Sequence, residues 1–398
     1  MRRTKFTGAS NKQTDEIKTV RVPLIGNSLF RGTTASKDQR FVNCLFDVFK
    51  NPETQKTHFF LNKRPGLTQT GGARPPAANA TGRGAYSWNG KRYSVFGTKI
   101  YSGTTDLGVT LTTSTGMCGF AAVRPGAGTT YLGINDGVKL YLISTADAVT
   151  TISSTTATVT ITNATPAVVT WTAHGLVAGH AVVFSTTGAL PQGITAGTIY
   201  YVISAGLTAN AFEIAATAGG TAINTTSAGS GTHTGTTNFP TPNTGNLEYL
   251  DGYFFVLKTD GTLWNCSVDD PWTWDTSKFI TAQMYSGEGI GLAHQNNMIM
   301  VFLDRATQLF FDNANTSGSP LSNIENAIQQ IGCVAKDSIV STEGTVIWVS
   351  NSFIGGYTIY KLDGITTLKE IASVDIQRLL FAEGTGISSV FAFALRTA

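Results

Sequence analysis

Residues 88–101, WNGKRYSVFGTKIY, hold two turn signals between three short strand-like segments. The pair Asn89-Gly90 suits a two-residue hairpin turn, because both central positions of that turn need positive φ and these residues tolerate it. Tyr93, Val95 and Ile100 supply the apolar strand positions around the turns. A three-stranded meander is only marginally stable by itself in water, so the stretch predicts that the chain provides a surface against which it packs.

The same meander recurs along the chain. Turns fall near residues 90, 128, 252, 297 and 344, and three of the spacings are 38, 45 and 47 residues. The remaining gap, from 128 to 252, contains a compositionally different block of about 90 residues and leaves about 34 without it. A period of about 35–50 residues is typical of propeller blades. Stacked sheets bury both of their faces, so a propeller is favoured over an open β-sandwich. The copies read FAAVRPGAGTTYLGINDGVKLYLIS (120–144), LEYLDGYFFVLKTDGTLWNCS (247–267), LAHQNNMIMVFLDRATQLFFD (292–312) and IVSTEGTVIWVSNSFIGGYTIYKLDG (339–364).

Composition agrees with an all-β chain. Only 13% of the residues are charged, against about 25% in an average globular protein, and 43 of the 398 residues are glycine. The predicted fold is therefore a β-propeller of repeated antiparallel meanders with an inserted small β-sandwich or barrel. The predicted organisation is an extended N-terminal arm (1–37), a first propeller segment (38–147), the inserted β-domain (148–237) and a second propeller segment (238–398).

The inserted block has a character of its own. Glu213 is its only charged residue, and short Val/Ile/Thr/Tyr segments alternate with Gly, Pro and Asn turns. This pattern predicts a separate small β-domain, and an insertion between repeats is expected on an exposed rim. A nearly uncharged surface suits packing against a neighbouring subunit or fibre, while a decoration without a partner remains the alternative.

Two segments carry helix signals. Ser322–Gly332 has an N-cap candidate, a glutamate three residues later and a terminal glycine, and Ser373–Gly384 repeats the N-cap candidate, Ser373, and the terminal glycine, Gly384. Both segments are predicted to be short helical crossovers between blades.

Charge is distributed unevenly. Residues 1–100 hold 18 Lys/Arg and 5 Asp/Glu, whereas the remainder holds 10 and 20. This asymmetry fits either a solvated basic surface or an electrostatic contact with nucleic acid or an acidic protein ring.

Signals for catalysis, metal binding and membrane insertion are missing from the sequence. The four cysteines are scattered without a CxxC pair, which predicts buried free thiols in a reducing cytoplasm. The five histidines form no HExxH motif, and neither a GxSxG elbow nor a Walker loop occurs. The N-terminus lacks the apolar run of a signal peptide, and no stretch of about 18 apolar residues could span a membrane. We therefore expect no enzyme activity, no cofactor and no membrane span.

Outside the insert, the chain resembles the packaged-DNA stabilisation proteins, the tail hub or nozzle components of short-tailed phages. The resemblance runs through Asp38–Thr70, RGAYSWNGKRYSVFGTKIYSG, the segment from DDPWTWD to DNANTSG, QIGCVAKDSIVSTEGTVIWVSN and IASVDIQRLL. The insert resembles a small β-domain that recurs in phage tail and structural proteins. The motif residues that carry the likeness are Asn43, Pro65, Gly66, Trp272, Trp274, Gly332, Cys333 and Trp348.

The resemblance implies a structural protein of the virion tail, made in the host cytoplasm. Copies of the chain, expected to be six, would form a ring below the portal and its adaptor, extend the DNA channel and hold the packaged double-stranded DNA. Expected partners are the adaptor or head-completion ring and the tail needle, tailspike or fibre proteins. Contacts with the adaptor or with DNA are predicted at Arg2, Arg3, Lys5, Lys63 and Arg64.

The chain departs from the family pattern in two places. The insert lies where compact members have a short link, and the chain ends at SSVFAFALRTA, where family members continue through further blades. Either the chain is truncated there or its last blades are supplied differently, so ring closure stays open. A receptor- or glycan-binding tail propeller is the alternative function, in which Trp272 and Trp274 would stack on sugars.

Overall fold

The structure is a computed structural model of the 398-residue chain. It describes residues 44–50, 57–63, 80–123, 130–283, 285, 287–324, 329–342, 344–352, 356–364 and 367–392. The chain divides into two compact units, Met1–Gly71 and Gly72–Ala398. In the first unit the described backbone is an antiparallel hairpin of β1 (Cys44–Lys50) and β2 (Thr57–Lys63). The predicted arm, residues 1–37, lies outside the described residues.

The second unit contains five antiparallel sheets, which we number as blades 1–5 in chain order. Blade 1 holds β3 (Gly82–Trp88), β4 (Lys91–Phe96), β5 (Lys99–Ser102) and β6 (Thr105–Thr110). Blade 2 holds β7 (Gly119–Ala122), β8 (Tyr131–Asn135), β9 (Leu140–Ser144) and β10 (Val149–Ile152).

A six-stranded barrel follows blade 2 and precedes blade 3 in the chain. Its strands are β11 (Thr155–Ile161), β12 (Val168–Thr170), β13 (Ala181–Thr186), β14 (Ile199–Val202), β15 (Ala211–Ala215) and β16 (His233–Thr237). They close in the order β11-β12-β15-β14-β13-β16.

The remaining three blades come after the barrel. Blade 3 holds β17 (Glu248–Leu250), β18 (Tyr253–Leu257), β19 (Thr262–Asn265) and β20 (Phe279–Thr281). Blade 4 holds β21 (Gly289–Gln295), β22 (Met298–Leu303), β23 (Thr307–Asp312) and β24 (Leu321–Asn323). Blade 5 holds β25 (Ile331–Cys333), β26 (Val340–Thr342), β27 (Thr345–Ser352), β28 (Tyr357–Asp363) and β29 (Thr367–Glu370).

The turn signals act as the sequence predicts. Asn89 and Gly90 take φ angles of 50° and 71° between β3 and β4, and Asp251 and Gly252 take 44° and 90° between β17 and β18. In each case the turn joins two antiparallel strands of one blade. The meander predicted from residues 88–101 is confirmed.

Alternating side chains of the middle strands stack the blades on one another. In β22, Met298, Met300 and Phe302 join a core cluster with Trp348 of blade 5. The intervening side chains of the same strand, Ile299, Val301 and Leu303, pack instead into the core shared with blade 3. Because a strand points successive side chains to opposite faces, a sheet that is apolar on both faces must lie between two others. This packing confirms the predicted propeller fold.

The barrel has a core of its own. Twelve buried residues within 159–214 form that core, including Trp171, Phe184 and Phe212. The first and last barrel strands pair with each other, with Thr155 opposite Thr237, so the chain enters and leaves the barrel side by side. Residues Val149–Ile152 pair with β9 in blade 2, and the barrel strands begin at Thr155.

One helix prediction is confirmed; the other is wrong at both ends of its segment, whose central residues 325–328 lie outside the described residues. Helix α1 spans Val374–Ala382, and the Ser373 hydroxyl caps it by accepting a hydrogen bond from the Ile376 N–H. The predicted helix over 322–332 is absent at both ends, because Ser322 lies in β24 and Gly332 in β25. Pairing of these ends with β23 and β27 outweighs their local capping signals.

Candidate functional site

The predicted contact residues of the N-terminal quarter fall largely outside the described residues of the chain. Lys63 ends β2, but its side chain is not among those described. The adaptor or DNA contact therefore stays a prediction. The predicted contact and motif residues that lie outside the described ranges are Arg2, Arg3, Lys5, Asn43, Arg64, Pro65 and Gly66.

The two tryptophans of the DDPWTWD motif pack inside the second unit. Trp274 is 1% exposed, meets Phe239 at a ring distance of 5.2 Å and donates its indole N–H to the Pro271 carbonyl. Trp272 packs against Tyr131 of blade 2. A sugar-stacking aromatic must present its ring face to solvent, so Trp274 does not offer such a platform.

The remaining motif residues hold blades 4 and 5 together. A Cβ added at Gly332 would lie 2.4 Å from the backbone of Asp304 and Arg305, so only glycine fits there. The Gly332 carbonyl accepts the indole N–H of Trp348, whose ring lies 5.0 Å from that of Phe302. Cys333 is buried in the same cluster. These motif residues pack the core rather than line a cleft.

The described cysteines do not have the environment of reactive thiols. Cys118, Cys266 and Cys333 are free and buried, as the sequence predicts. Burial raises the pKa of Cys118 to about 11 and the pKa values of Cys266 and Cys333 to about 12. Because the thiolate is the reactive form, all three thiols are inert at neutral pH.

Neither a metal cluster nor a membrane-spanning helix occurs among the described residues. No group of three or more His, Cys, Asp or Glu side chains in those ranges is placed to hold a metal ion. None of the helices in the described ranges is long and apolar enough to cross a bilayer.

Lys336 of blade 5 joins segments that lead into two other blades. Its ammonium group donates to the Thr244 carbonyl at 2.7 Å and to the Met117 carbonyl at 3.5 Å. Met117 precedes blade 2 and Thr244 precedes blade 3, so the links into these two blades lie within hydrogen-bond distance of Lys336 in blade 5. Sequence reasoning missed Lys336 because its partners lie 92 and 219 residues away.

The outer face of the barrel is rich in hydroxyl groups and carries one charged side chain, Glu213 of β15. Strand β11 exposes alternate threonines, and its neighbours β12 and β16 add more. The Thr156 and Thr236 hydroxyls lie 3.3 Å apart across the β11–β16 pair. We call this surface the hydroxyl face; it consists of Thr156, Thr158, Thr160, Thr170, Thr234 and Thr236.

The barrel meets the blades through a histidine and an aromatic ring. His180 of the barrel is 4% exposed and lies 5.4 Å from the ring of Trp272 in blade 3. Its backbone N–H donates to the Val177 carbonyl, and its carbonyl accepts from the Val202 N–H. The barrel framework therefore fixes the position of this histidine. Trp272 in turn bridges to Tyr131 of blade 2.

The geometry thus defines an all-β propeller that carries a barrel between two blades. Residues 197–384, just under half of the chain, match the model of a family described as "Bacteriophage P22 Gp10, beta-propeller". This match confirms the resemblance to the phage packaged-DNA stabilisation proteins. Trp272, Trp274, Gly332, Cys333 and Trp348 lie inside the matched range, whereas Asn43, Pro65 and Gly66 lie before it.

Solved structures with some likeness to the chain are remote. A streptogramin B lyase structure has 10% identity, covers 76% of this chain and 87% of its own, and gives a TM-score of 0.33. BBS1N in complex with ARL6DN has 9% identity, coverages of 81% and 75% and a TM-score of 0.32. Citrobacter koseri AztD has 10% identity, coverages of 83% and 78% and a TM-score of 0.31. These values carry no argument about function. No curated protein sequence matches the chain.

Proposed function

We propose that this chain is a structural protein of a phage tail, with an architectural rather than a catalytic role. Its copies form a ring, expected to be a hexamer, below the portal and adaptor, where it extends the DNA channel and helps to retain packaged DNA. The match of residues 197–384 to the phage β-propeller family carries this proposal. The inert thiols and the tightly packed motif residues are consistent with it.

The DNA channel would lie between copies of the chain rather than through one propeller. Within one chain, the links into blades 2 and 3 approach within 2.7–3.5 Å of the Lys336 ammonium group of blade 5. A duplex needs far more room, since its major groove alone is about 12 Å wide. A ring of several copies supplies an opening that one copy does not.

The barrel would carry the contact with another tail component. Its hydroxyl face is uncharged and lies on a sheet that the barrel core holds rigid. Threonine hydroxyls offer both donors and acceptors, and an interface without charges avoids the cost of desolvating them. We expect the tail needle, tailspike or fibre proteins as partners for this face.

Cryo-electron microscopy of intact virion tails, reconstructed without imposed symmetry, tests the location. The expected result is a ring of propellers below the adaptor with the barrels on its rim. Density for the chain at the distal tip or on a fibre would instead support the receptor-binding alternative and would remove the DNA-retention role.

Two lysine variants test whether the hydroxyl face is the contact with the partner protein. Thr158→Lys places a charge in its centre, while Thr198→Lys places one on an exposed loop of the same barrel outside it. We expect only the first variant to lose incorporation of the partner protein into assembled tails. Equal incorporation in both variants would argue against the hydroxyl face as the contact.

The basic N-terminal residues have a separate test. Arg2/Arg3/Lys5→Ala should weaken docking of the ring on the adaptor, and the docking of the unaltered chain should weaken with added salt, because opposite charges are screened. Unchanged assembly of the triple variant would count against this contact.

A further inference from the structure

A small cavity lies where the barrel meets the propeller. Its volume is about 20 Å³, and a buried water needs about 10–15 Å³ by the same measure. The walls come from the β10–β11 link, two barrel loops, the exit from β16 and blade 3. The polar and aromatic side chains of the lining include Ser153, His174, His180, Thr237, Asn238 and Trp272.

Two imidazole nitrogens at this cavity are buried without a protein partner. Within the described ranges of the chain, Nε2 of His174 and Nε2 of His180 make no hydrogen bond to the protein. Their rings are otherwise firmly held. His174 packs edge-on against Phe212 at 5.0 Å, and His180 packs against Trp272 at 5.4 Å. An unpaired buried polar atom is costly, so each nitrogen needs a ligand.

The hydrogen-bond pattern fixes which nitrogen of His174 carries the proton. Nδ1 of His174 accepts a hydrogen bond from the Leu176 N–H at 2.9 Å. In a neutral imidazole one nitrogen accepts and the other carries the hydrogen. Nε2 of His174 is therefore a buried donor without a protein partner, on a residue that lines the cavity. His180 is free to present its Nε2 as the acceptor by holding its own hydrogen on Nδ1.

We propose that this cavity is a hydration site, in which one water molecule joins Nε2 of His174 to Nε2 of His180 where these two barrel residues adjoin the links to the propeller. The water accepts from the His174 Nε2–H and donates one hydrogen to Nε2 of His180. Its second hydrogen is left for an oxygen of the wall, supplied by Ser153, Thr237 or Asn238. Three hydrogen bonds are the usual number for a buried water.

The chemistry of the walls selects water over an ion. A metal ion would need an unprotonated Nε2 on His174, which the Leu176 hydrogen bond opposes. An anion would need a positive charge nearby, and the lining residues include no lysine or arginine. His174 and His180 are the only titratable lining residues. Burial, with the nearby His174, lowers the pKa of His180 to about 4, so His180 is neutral at pH 7 and can accept.

Histidine NMR on the full chain tests the proton positions. With ¹⁵N-labelled histidine at pH 7, we expect His174 as the Nε2–H form and His180 as the Nδ1–H form. Variants His174→Gln and His180→Gln assign the two signals. The opposite form at either residue would overturn the proposed bridge, and this measurement uses the folded wild-type chain.

A crystal structure of the full chain tests the ligand itself. One solvent peak should lie about 2.7–3.2 Å from both Nε2 atoms. An empty cavity, a direct bond between the two rings or a peak with the anomalous signal of a transition metal would each overturn the proposal.

Hydrogen exchange tests whether the third hydrogen bond of the water holds the adjacent link, which begins at residues 151–153. His180→Phe keeps a ring beside Trp272 but removes the acceptor, and amide exchange in residues 151–153 should rise about tenfold, which corresponds to a tenfold change in the local opening equilibrium. Exchange in blade 4 should stay unchanged as the internal reference. Equal exchange at 151–153 in the variant and the wild type would contradict the role of the water.

Discussion

Arg83 shows how a buried charge can be held by backbone carbonyls. The residue is 1% exposed. Its guanidinium donates to the carbonyls of Gly116, Gly97 and Thr113 and to the Thr113 hydroxyl, at distances of 2.6–3.0 Å. These bonds tie a turn of blade 1 to the link that enters blade 2, so Arg83 sets how the two blades meet.

Replacement of Arg83 by methionine should destabilise the protein strongly. The side chain keeps much of its length but loses four hydrogen bonds donated by a charged group, and such bonds are worth about 1.5–3 kcal/mol each. We expect a loss of about 3 kcal/mol or more in the free energy of unfolding, measured by urea denaturation. Arg92→Met, at an exposed position of the same blade, is the matched control and should change stability by less than about 0.5 kcal/mol.

His180 should make the stability of the protein fall in mild acid. Its pKa is lowered from 6.5 to about 4 by burial, so the unfolded state binds its proton first. The stabilisation is complete above pH 6.5 and is lost as the pH falls from 6.5 toward 4, by at most about 1.4 kcal/mol per pH unit.

Urea denaturation between about pH 7.5 and pH 4.5 measures this dependence. The carboxylates titrate in both wild type and His180→Phe, so the difference between the two pH profiles isolates His180. The variant should show the shallower profile. Parallel profiles would mean that His180 binds its proton equally well in the folded and unfolded states.

Residue-level features were predictable from sequence only where their cause is local. The positive φ angles at Asn89 and Gly90 follow from the residue types themselves. The roles of Arg83 and Lys336 do not, because their carbonyl partners become neighbours only after the blades pack. The sequence shows no metal-binding motif at His174 or His180, and the structure adds the cavity that they share.

At the level of single elements, the close approach of two backbone segments explains a glycine that lies outside any turn. Gly119 starts β7, and a Cβ there would lie 2.5 Å from the Gly245 carbonyl and the Leu247 nitrogen. The Gly119 N–H also donates to that carbonyl at 2.7 Å. Backbone atoms cannot move aside as a flexible side chain can, so the site admits only glycine.

Gly119→Ala should therefore separate blade 2 from the segment that leads into blade 3. Overpacking of this kind costs about 1–3 kcal/mol, and we expect the upper end of that range in a thermal or urea melt. Gly82→Ala is the matched control, because Gly82 starts β3 and its Cβ would meet only the Phe96 ring at an ordinary 3.5 Å. If both alanine variants are equally stable, the close approach at Gly119 is not a constraint.

The two helix predictions show why elements with similar local signals can differ. Ser373 precedes a segment that forms α1 and keeps its cap. Ser322 instead pairs with Phe311 in β24, and Gly332 pairs with Asn351 in β25. Both segments have a serine N-cap candidate and a terminal glycine, and only Ser322 has a glutamate three residues later. The difference is that strands of blades 4 and 5 offer backbone hydrogen-bond partners to both ends of the Ser322–Gly332 segment. Long-range pairing of this kind is not visible in a single sequence.

At the scale of the whole molecule, the repeat period was sufficient to predict the propeller and the insertion. Recurring turns mark the blades, and the loss of charge after residue 147 marks the inserted domain. The sequence left open whether that domain is a sandwich or a barrel, because strand order is set by long-range pairing. The pairing of Thr155 with Thr237 decides it and also places the two ends of the barrel together.

That arrangement predicts that the barrel can be removed without unfolding the propeller. Paired residues of antiparallel strands lie about 4.5–5.5 Å apart at Cα, so a short Gly-Ser linker can replace residues 155–237. Phe239, which packs on Trp274, is retained. The shortened chain should keep its blade cores and unfold cooperatively, since the core clusters of the blades draw no residue from the barrel strands.

Residues 153–238 expressed separately should also fold, because the barrel core lies entirely within them. Circular dichroism and urea denaturation of both pieces measure this, and the Thr198→Lys chain serves as a full-length control that keeps the barrel and its hydroxyl face. If the shortened chain folds but fails to recruit the tail partner, the barrel is a docking module on an independent propeller. A shortened chain that is molten would show instead that the barrel belongs to the propeller's folding unit.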